Sequence, residues 1–200
     1  MRRVARSKVL FSSGLVLLLG TFGWAQPQPR ATDGRFVVYT ASSADREALG
    51  AVFAVLQRAA RDLQQDWRFR LPKTVTVRVY PTLTAFGEAT GQPWFVAATA
   101  DRDGATLHLQ RLRVLTERGS LEATLRHELF HLAQPEDWPR WRAEGAAMRF
   151  AGERPAADPL TGLREADLDA RLAAPSSAEA YARAAATAWV WAGLESRTAR

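Results

Sequence analysis

Two histidines separated by three residues constrain this chain more than any other feature. The sequence HELFH at 127–131 lies in a stretch from 120 to 134 that contains neither proline nor glycine, and Pro135 follows it. Because an α-helix has about 3.6 residues per turn, a spacing of four places both imidazoles on one face, one turn apart. The sequence therefore predicts a helix over 120–134 with both histidines able to share a single ion.

The opposite face of this predicted helix is apolar. At about 100° per residue, the leucines of the segment fall together on the side away from the histidines. These leucines are Leu121, Leu125, Leu129 and Leu132. One face of the helix is thus predicted to pack on a core and the other to line a cleft. Glu128 lies beside the histidines, where it can face a water molecule without binding the ion itself.

A catalytic ion held by two histidines needs a third protein ligand and an open position for water. The only other histidine, His108, lies far upstream, whereas Glu144 follows His131 by 13 residues, across a loop with two prolines. Two neutral imidazoles and one carboxylate suit zinc. We therefore predict a Zn²⁺ site formed by His127, His131 and Glu144, with Glu128 as the general base.

Each of these residues also has a plainer interpretation. The two histidines could be polar surface residues of an amphipathic helix, and Glu144 could be a solvated carboxylate near a helix start. The metal interpretation is preferred because Glu128 lies between the histidines. His108 is expected to face solvent on a hairpin, with contact to a substrate as the alternative. Tyr181 could stabilise an oxyanion with its hydroxyl, although packing on the core is the favoured interpretation.

The N-terminal segment indicates export. Four basic residues precede an apolar run over 9–24, and small residues at positions 23 and 25 come just before a polar stretch with two prolines. This is the pattern of a secretory signal peptide. We predict a signal peptide over 1–25, a linker over 26–34 and one domain over 35–200 in a secreted or periplasmic protein. An uncleaved membrane anchor is the alternative.

Charge and cysteine content limit the kinds of partner and of cross-link that the chain is expected to have. The chain has 27 basic and 21 acidic residues, and four of the basic ones lie in the predicted signal peptide, so the remainder has 23 against 21, or +2. This near balance argues against nucleic acid as a partner. Because the chain has no cysteine, an exported fold would depend on its core and a bound metal rather than on disulfides.

Hydrophobic periodicity predicts an α+β fold. Residues 36–40 and 74–80 have the composition and alternation of strands, and a helix with an apolar stripe lies between them over 44–67. Asp103-Gly104 indicates a hairpin within 95–110. Further helices are predicted over 82–90, 141–150, 165–172 and 177–196. We expect a small mixed sheet with an edge strand at the cleft, packed on the long helix and followed by a helical half that carries the ligands.

Together with its flanking residues, the HExxH segment resembles a known class of enzyme. It is followed at 139–147 by PRWRAEGAA, which combines a proline, a tryptophan and the glutamate of the next predicted helix. In these motifs the chain resembles the gluzincin zinc metallopeptidases, specifically the peptidase MA-like family. The resemblance covers most of residues 35–150. One departure is Met148-Arg149, where relatives often have an acidic or aromatic residue.

The resemblance implies a zincin-like domain that hydrolyses peptide bonds and uses the ligands and base named above. It also implies an edge strand that pairs with an extended peptide, and here that strand would be 95–100 or 105–110. We therefore expect a peptide or protein substrate, and no membrane contact once the signal peptide is removed. The alternative function is that of a catalytically inactive homologue, which binds a metal and acts as a binding protein of the cell envelope.

Overall fold

A computed structural model describes residues 29–40 and 42–198, and within them the chain forms a mixed, open five-stranded sheet and seven helices. The strands are β1 (Pro29–Asp33), β2 (Phe36–Thr40), β3 (Val75–Val79), β4 (Ala98–Asp101) and β5 (Thr106–Leu109). The helices are α1 (Leu49–Asp66), α2 (Leu83–Thr90), α3 (Leu112–Glu117), α4 (Leu121–Ala133), α5 (Arg140–Ala151), α6 (Glu165–Ala173) and α7 (Ala178–Thr198). The predicted α+β class is confirmed. The predicted signal peptide lies outside the described residues.

The sheet has the order β1-β2-β3-β5-β4. Strands β2, β3 and β5 are parallel, whereas β1 and β4 run antiparallel to their neighbours. The connection from β2 to β3 contains α1, as expected for parallel neighbours, which cannot be joined by a tight turn. Because β5 lies between β3 and β4, the edge strand of the predicted hairpin is β4.

One apolar core joins the sheet to α1 and α4. Strand β3 alternates as predicted and buries Val75, Val77 and Val79. Helix α1 contributes a buried stripe that includes Leu56 and Leu63. The predicted leucine face of α4 is buried in the same core. This packing fixes α4 with its histidine face turned away from the core.

Four segments differ from the sequence-based expectation. Helix α1 begins at Leu49, five residues later than expected, because the chain first forms turns in which the N–H of Arg46 bonds the carbonyl of Ser43. Part of the predicted linker forms β1, which satisfies backbone groups along the outer edge of β2. Helix α3 was not expected, because its six residues are too few to show helical periodicity, although Leu112 and Leu115 are buried. Strand β4 begins three residues later than expected, since the N–H of Val96 bonds the carbonyl of Pro93 in a turn.

The helix that carries Glu144 is fixed by a close helix crossing. Helices α5 and α7 approach so closely that a Cβ atom at Gly145 would overlap the carbonyl oxygen of Ala188. Only glycine leaves room for this contact. A second apolar cluster, which includes Trp141 and Leu168, joins α5 to α6 and α7. In the part of the chain that the structure describes, no helix has the length and apolar character needed to cross a membrane.

Candidate metal centre

Three side chains from two helices meet at the base of a cleft. Helix α4 supplies His127 and His131, and α5 supplies Glu144. The Nε2 atom of His127 is 3.4 Å from Oε2 of Glu144, and Nε2 of His131 is 3.8 Å from the same oxygen. One ligand atom from each residue lies within 4.8 Å of the others. The group could therefore hold a metal ion, as the sequence predicts.

The other ring nitrogen of each histidine has a polar partner. Nδ1 of His131 is 2.9 Å from Oε1 of Gln134, and Nδ1 of His127 is 3.4 Å from Oε1 of Glu153. When Nδ1 carries the proton and donates it to these oxygens, Nε2 is left with a lone pair directed to the ligand cluster. Such partners orient metal-binding imidazoles and make them stronger ligands. The donor set thus fits a metal in its orientation as well as in its composition.

Gln134 and Glu153 were not identified from the sequence. A signal for Gln134 was present, because it follows His131 by three residues and residues at that spacing are neighbours on a helix. Glu153 is different, since α5 ends before it. Gly152 has a φ of 75° and turns the chain back toward His127. The hydrophobic periodicity of the sequence does not predict where the chain turns back after a helix.

Glu128 is buried at the edge of the cluster, with only 8% of its surface exposed. Burial raises the pKa of its carboxyl group to about 7, against the opposing effect of His127. The backbone N–H of Ala100 in β4 donates a hydrogen bond to this carboxylate. A group with a pKa near neutrality can both accept and release a proton at pH 7.

The electrostatics of the cluster keep the Glu144 ligand ionised. Burial opposes its charge, but the neighbouring His131 and His127 outweigh burial and bring the pKa of Glu144 to about 2. Burial also opposes a charge on His127, yet hydrogen bonds to Glu144 and Glu153 raise the pKa of His127 well above its ordinary value. His131 behaves oppositely, because burial lowers its pKa. The pocket thus already favours one positive charge beside Glu144.

Tyr181 of α7 reaches the same carboxylate. Its hydroxyl group donates to Oε2 of Glu144 at 3.4 Å, and its ring lies 6.2 Å from that of Phe95. The negative charge of Glu144 and burial raise the pKa of Tyr181 well above its ordinary value, so the hydroxyl keeps its proton. The structure therefore brings the protonated hydroxyl of Tyr181 to the cluster, where it donates to Glu144.

His108 does not line the cleft, and it is half-buried where the sequence predicts a residue that faces solvent. Its Nδ1 atom is 2.8 Å from the hydroxyl of Tyr80, and the two rings stack with centroids 5.8 Å apart. Strand β5 is internal to the sheet, so His108 is covered by its cross-strand neighbours and is half-buried. Burial accordingly lowers the pKa of His108.

The cluster opens into a cleft of about 690 Å³. It is lined by the edge strand β4 with the loop before it, and by residues at the end of α6 and the start of α7. His127, Glu128, His131 and Glu144 line it as well. The volume falls in the range of about 300–1,000 Å³ that is usual for ligand pockets.

Comparison of the chain with protein-family models, with curated proteins and with solved structures finds no match. The chemistry that the site can perform therefore rests on its own residues. Their arrangement comprises two oriented imidazoles, an ionised carboxylate and a second carboxyl group with a pKa of about 7.

Proposed function

We propose that this protein is a zinc-dependent peptidase of the gluzincin type. The observation that carries the proposal is the convergence of two imidazole nitrogens and one carboxylate oxygen within 4.8 Å, beside the buried carboxyl group of Glu128. A purely structural metal site would have no need of Glu128. The resemblance of the motifs at 127–131 and 139–147 to the peptidase MA-like family supports the same function.

The donor set favours zinc among the common metals. Imidazole nitrogens combined with one carboxylate suit zinc better than magnesium or calcium, which prefer oxygen ligands alone. Three protein ligands leave a fourth position open, which is the arrangement of catalytic rather than structural zinc sites. When bound, zinc supplies a Lewis acid that polarises a carbonyl group and lowers the pKa of a water molecule.

Glu128 is proposed to move the proton. It takes a proton from the attacking water and gives it to the leaving amine, and a pKa near 7 suits both steps. The hydrogen bond from the N–H of Ala100 holds the carboxylate between β4 and the histidines. Glu128 therefore serves as base and then as acid within one reaction.

Strand β4 is the proposed binding surface for an extended peptide. The carbonyl of Ala97 accepts from the N–H of Gln110 at 3.1 Å, so the backbone groups of Ala97 point to β5. Because backbone directions alternate along a strand, the groups of Ala98 and Ala100 point outward, to the cleft. A peptide can add to such an edge as a further strand. Tyr181, which lines the same cleft and keeps its proton, is proposed to donate to the oxyanion.

The test is hydrolysis of casein or of a peptide library by the purified mature chain. We expect cleavage that a chelator abolishes and that added zinc restores. Glu128→Gln should lower kcat by about 10³-fold, because the carboxamide cannot take a proton, while zinc binding is retained. Glu122→Gln is the matched control, since it makes the same change on the same helix at a residue whose side chain is 58% exposed and pairs with Arg58.

Activity that survives both the chelator and Glu128→Gln would contradict the proposed function. Stoichiometric zinc binding without hydrolysis of any peptide would instead assign the protein to the alternative, an inactive metal-binding protein. Elemental analysis of the purified chain separates these outcomes from the absence of zinc altogether.

We further propose that the enzyme acts outside the cytoplasm. The support is the basic and apolar N-terminal pattern, with a signal-peptidase site after Ala25. N-terminal sequencing of the protein from periplasm or culture fluid should give Gln26 as the first residue. An intact N-terminal segment in a membrane fraction would support the anchored alternative.

A further inference from the structure

Arg102 connects the edge strand to the end of the helix that carries the histidines. It directly follows β4, and its Nη2 atom donates to the carbonyl oxygen of Gln134 at 2.7 Å. Its Nη1 atom is 3.5 Å from the carbonyl oxygen of Pro135. The carbonyl groups at the end of a helix lack helical partners and carry partial negative charge, so a guanidinium group satisfies them well.

Gln134 is the residue through which this contact reaches the metal ligands. As the residue before Pro135 it is restricted to extended backbone, and it has φ −64° and ψ 156°. At this point the chain leaves α4, and the amide oxygen of Gln134 lies 2.9 Å from Nδ1 of His131. Arg102 thus holds the main chain of the residue whose side chain orients His131.

A surface ion pair does not account for the position of Arg102. Its partner, Glu136, is 4.0 Å away and its side chain is 93% exposed, whereas that of Arg102 is 31% exposed. Exposed pairs of this kind contribute little to stability. The short hydrogen bond to the Gln134 carbonyl is the stronger interaction, and it is directed at the ligand helix.

We propose that Arg102 is a positioning residue that acts through Gln134 to orient His131 as a metal ligand. It thereby joins β4, the strand that borders the cleft, to the ligand set. The inference rests on the metal centre of the proposed function but does not require that any peptide be cleaved. Its test therefore uses metal binding as the readout.

The test is a double-mutant cycle on the mature chain with Arg102→Gln and Gln134→Ala. Zinc affinity is measured by competition with a chromophoric chelator, and the ligand field by visible absorption after Co²⁺ loading. Each single change should weaken zinc binding by about tenfold, as for other partners of ligand histidines. The double variant should also lose about tenfold in zinc affinity, because both changes remove the same interaction of Gln134 with His131. These two single variants and the double variant should shift the Co²⁺ absorption bands.

Two further variants separate positioning from general stability. Arg102→Lys keeps one donor for the Gln134 carbonyl and should recover part of the lost affinity. Arg113→Gln removes a guanidinium group that is exposed and pairs with Glu117 away from the cleft, and it should leave affinity and spectrum unchanged.

If the double variant loses about 100-fold in zinc affinity, the product of the two single losses, the inference is overturned. Such a loss would show that Arg102 acts independently of Gln134. An unshifted Co²⁺ spectrum in Arg102→Gln, or equal behaviour of Arg102→Lys and Arg102→Gln, would also overturn it. Zinc binding without peptide hydrolysis in the unaltered protein would contradict the proposed function and leave this inference in place.

Discussion

The sheet half of the molecule (β1–β5 with α1) and the α5–α7 crossing within the helical half (α4–α7) exclude water by different means. In the sheet half, large and branched side chains interdigitate, and Val52, Val77 and Leu107 are fully buried. In the helical half, α5 and α7 cross through glycine and alanine, so that Gly145 lies directly against the backbone at Ala188. The sheet half is held by the volume of its side chains, whereas the crossing of α5 and α7 depends on close approach of their backbones.

The difference corresponds to what each half carries. Among the described residues, the group that could hold a metal ion belongs entirely to α4 and α5. The sheet half contributes a cleft wall and one N–H donor, that of Ala100. A close backbone contact leaves little freedom for α5 to slide, so it fixes the position of Glu144 relative to the histidines. The comparison leads to four predictions, which begin with the largest effect.

Zinc should stabilise the helical half more than the sheet half. At a free zinc concentration about 1,000 times Kd, binding stabilises the folded state by about 4.1 kcal/mol. Hydrogen exchange with and without zinc should show the strongest added protection of local openings in α4 and α5, because they carry the ligands. Equal added protection across β1–β3 would show that zinc stabilises both halves to the same extent.

Leu107→Ala tests the sheet half. Leu107 is fully buried on the central strand pair β3–β5, so its truncation leaves a cavity and should lower the free energy of unfolding by about 3 kcal/mol. Urea denaturation measures the loss. Zinc affinity should stay within twofold of the unaltered protein, and a tenfold loss would show that the ligands depend on packing in the sheet.

Gly145→Ala tests the helical half by adding a single methyl group to α5. The new methyl group would overlap the Ala188 carbonyl oxygen, so α5 must shift, and the free energy of unfolding should fall by about 2 kcal/mol. Zinc affinity should fall as well, because Glu144 moves with α5.

Gly50→Ala is the matched control. Gly50 lies in α1 with no atom within 4 Å of the added Cβ, and the substitution should stabilise the protein by about 0.5 kcal/mol. Losses of the same size at both glycines would show that the contact with Ala188 is not the cause.

Proton competition at His127 should make zinc affinity depend on pH. Burial opposes its charge, but Glu144 and Glu153 raise the pKa of His127, so its proton must leave when zinc binds. Affinity should rise with pH up to that raised pKa, by about 1.4 kcal/mol, or tenfold, per unit. Calorimetry in two buffers of different ionisation enthalpy should detect about one released proton. Binding without proton release would show that His127 is neutral beforehand.

The two halves also differ in how far the sequence predicts them. Alternation in β3 predicts its buried valines, and the leucine spacing of α4 predicts which face packs on the core; both are confirmed. These patterns are local, so the sequence contains them directly. The same local geometry predicts that His127 and His131 can share an ion, whereas Glu144 on the next helix is predicted from its distance along the chain and from the family resemblance.

Contacts between distant segments could not be predicted in this way. The return of the chain at Gly152, which brings Glu153 to His127, depends on one left-handed residue and on the packing of α5. The contact between Arg102 and Gln134 spans 32 residues and depends on the order of strands in the sheet. The half-burial of His108 could not be predicted for the same reason, because it depends on the strands at both edges of β5 and on the contact with Tyr80.

The hydrogen bond from Ala100 to Glu128 has a consequence for the timing of the proposed reaction. A peptide that pairs with β4 at Ala100 and the carboxylate of Glu128 compete for the same N–H donor. A substrate that wins this competition frees an oxygen of Glu128 at the moment when a proton must be accepted. Arrival of the peptide and release of the base would then be one event, so that the base becomes available only when a substrate is in place.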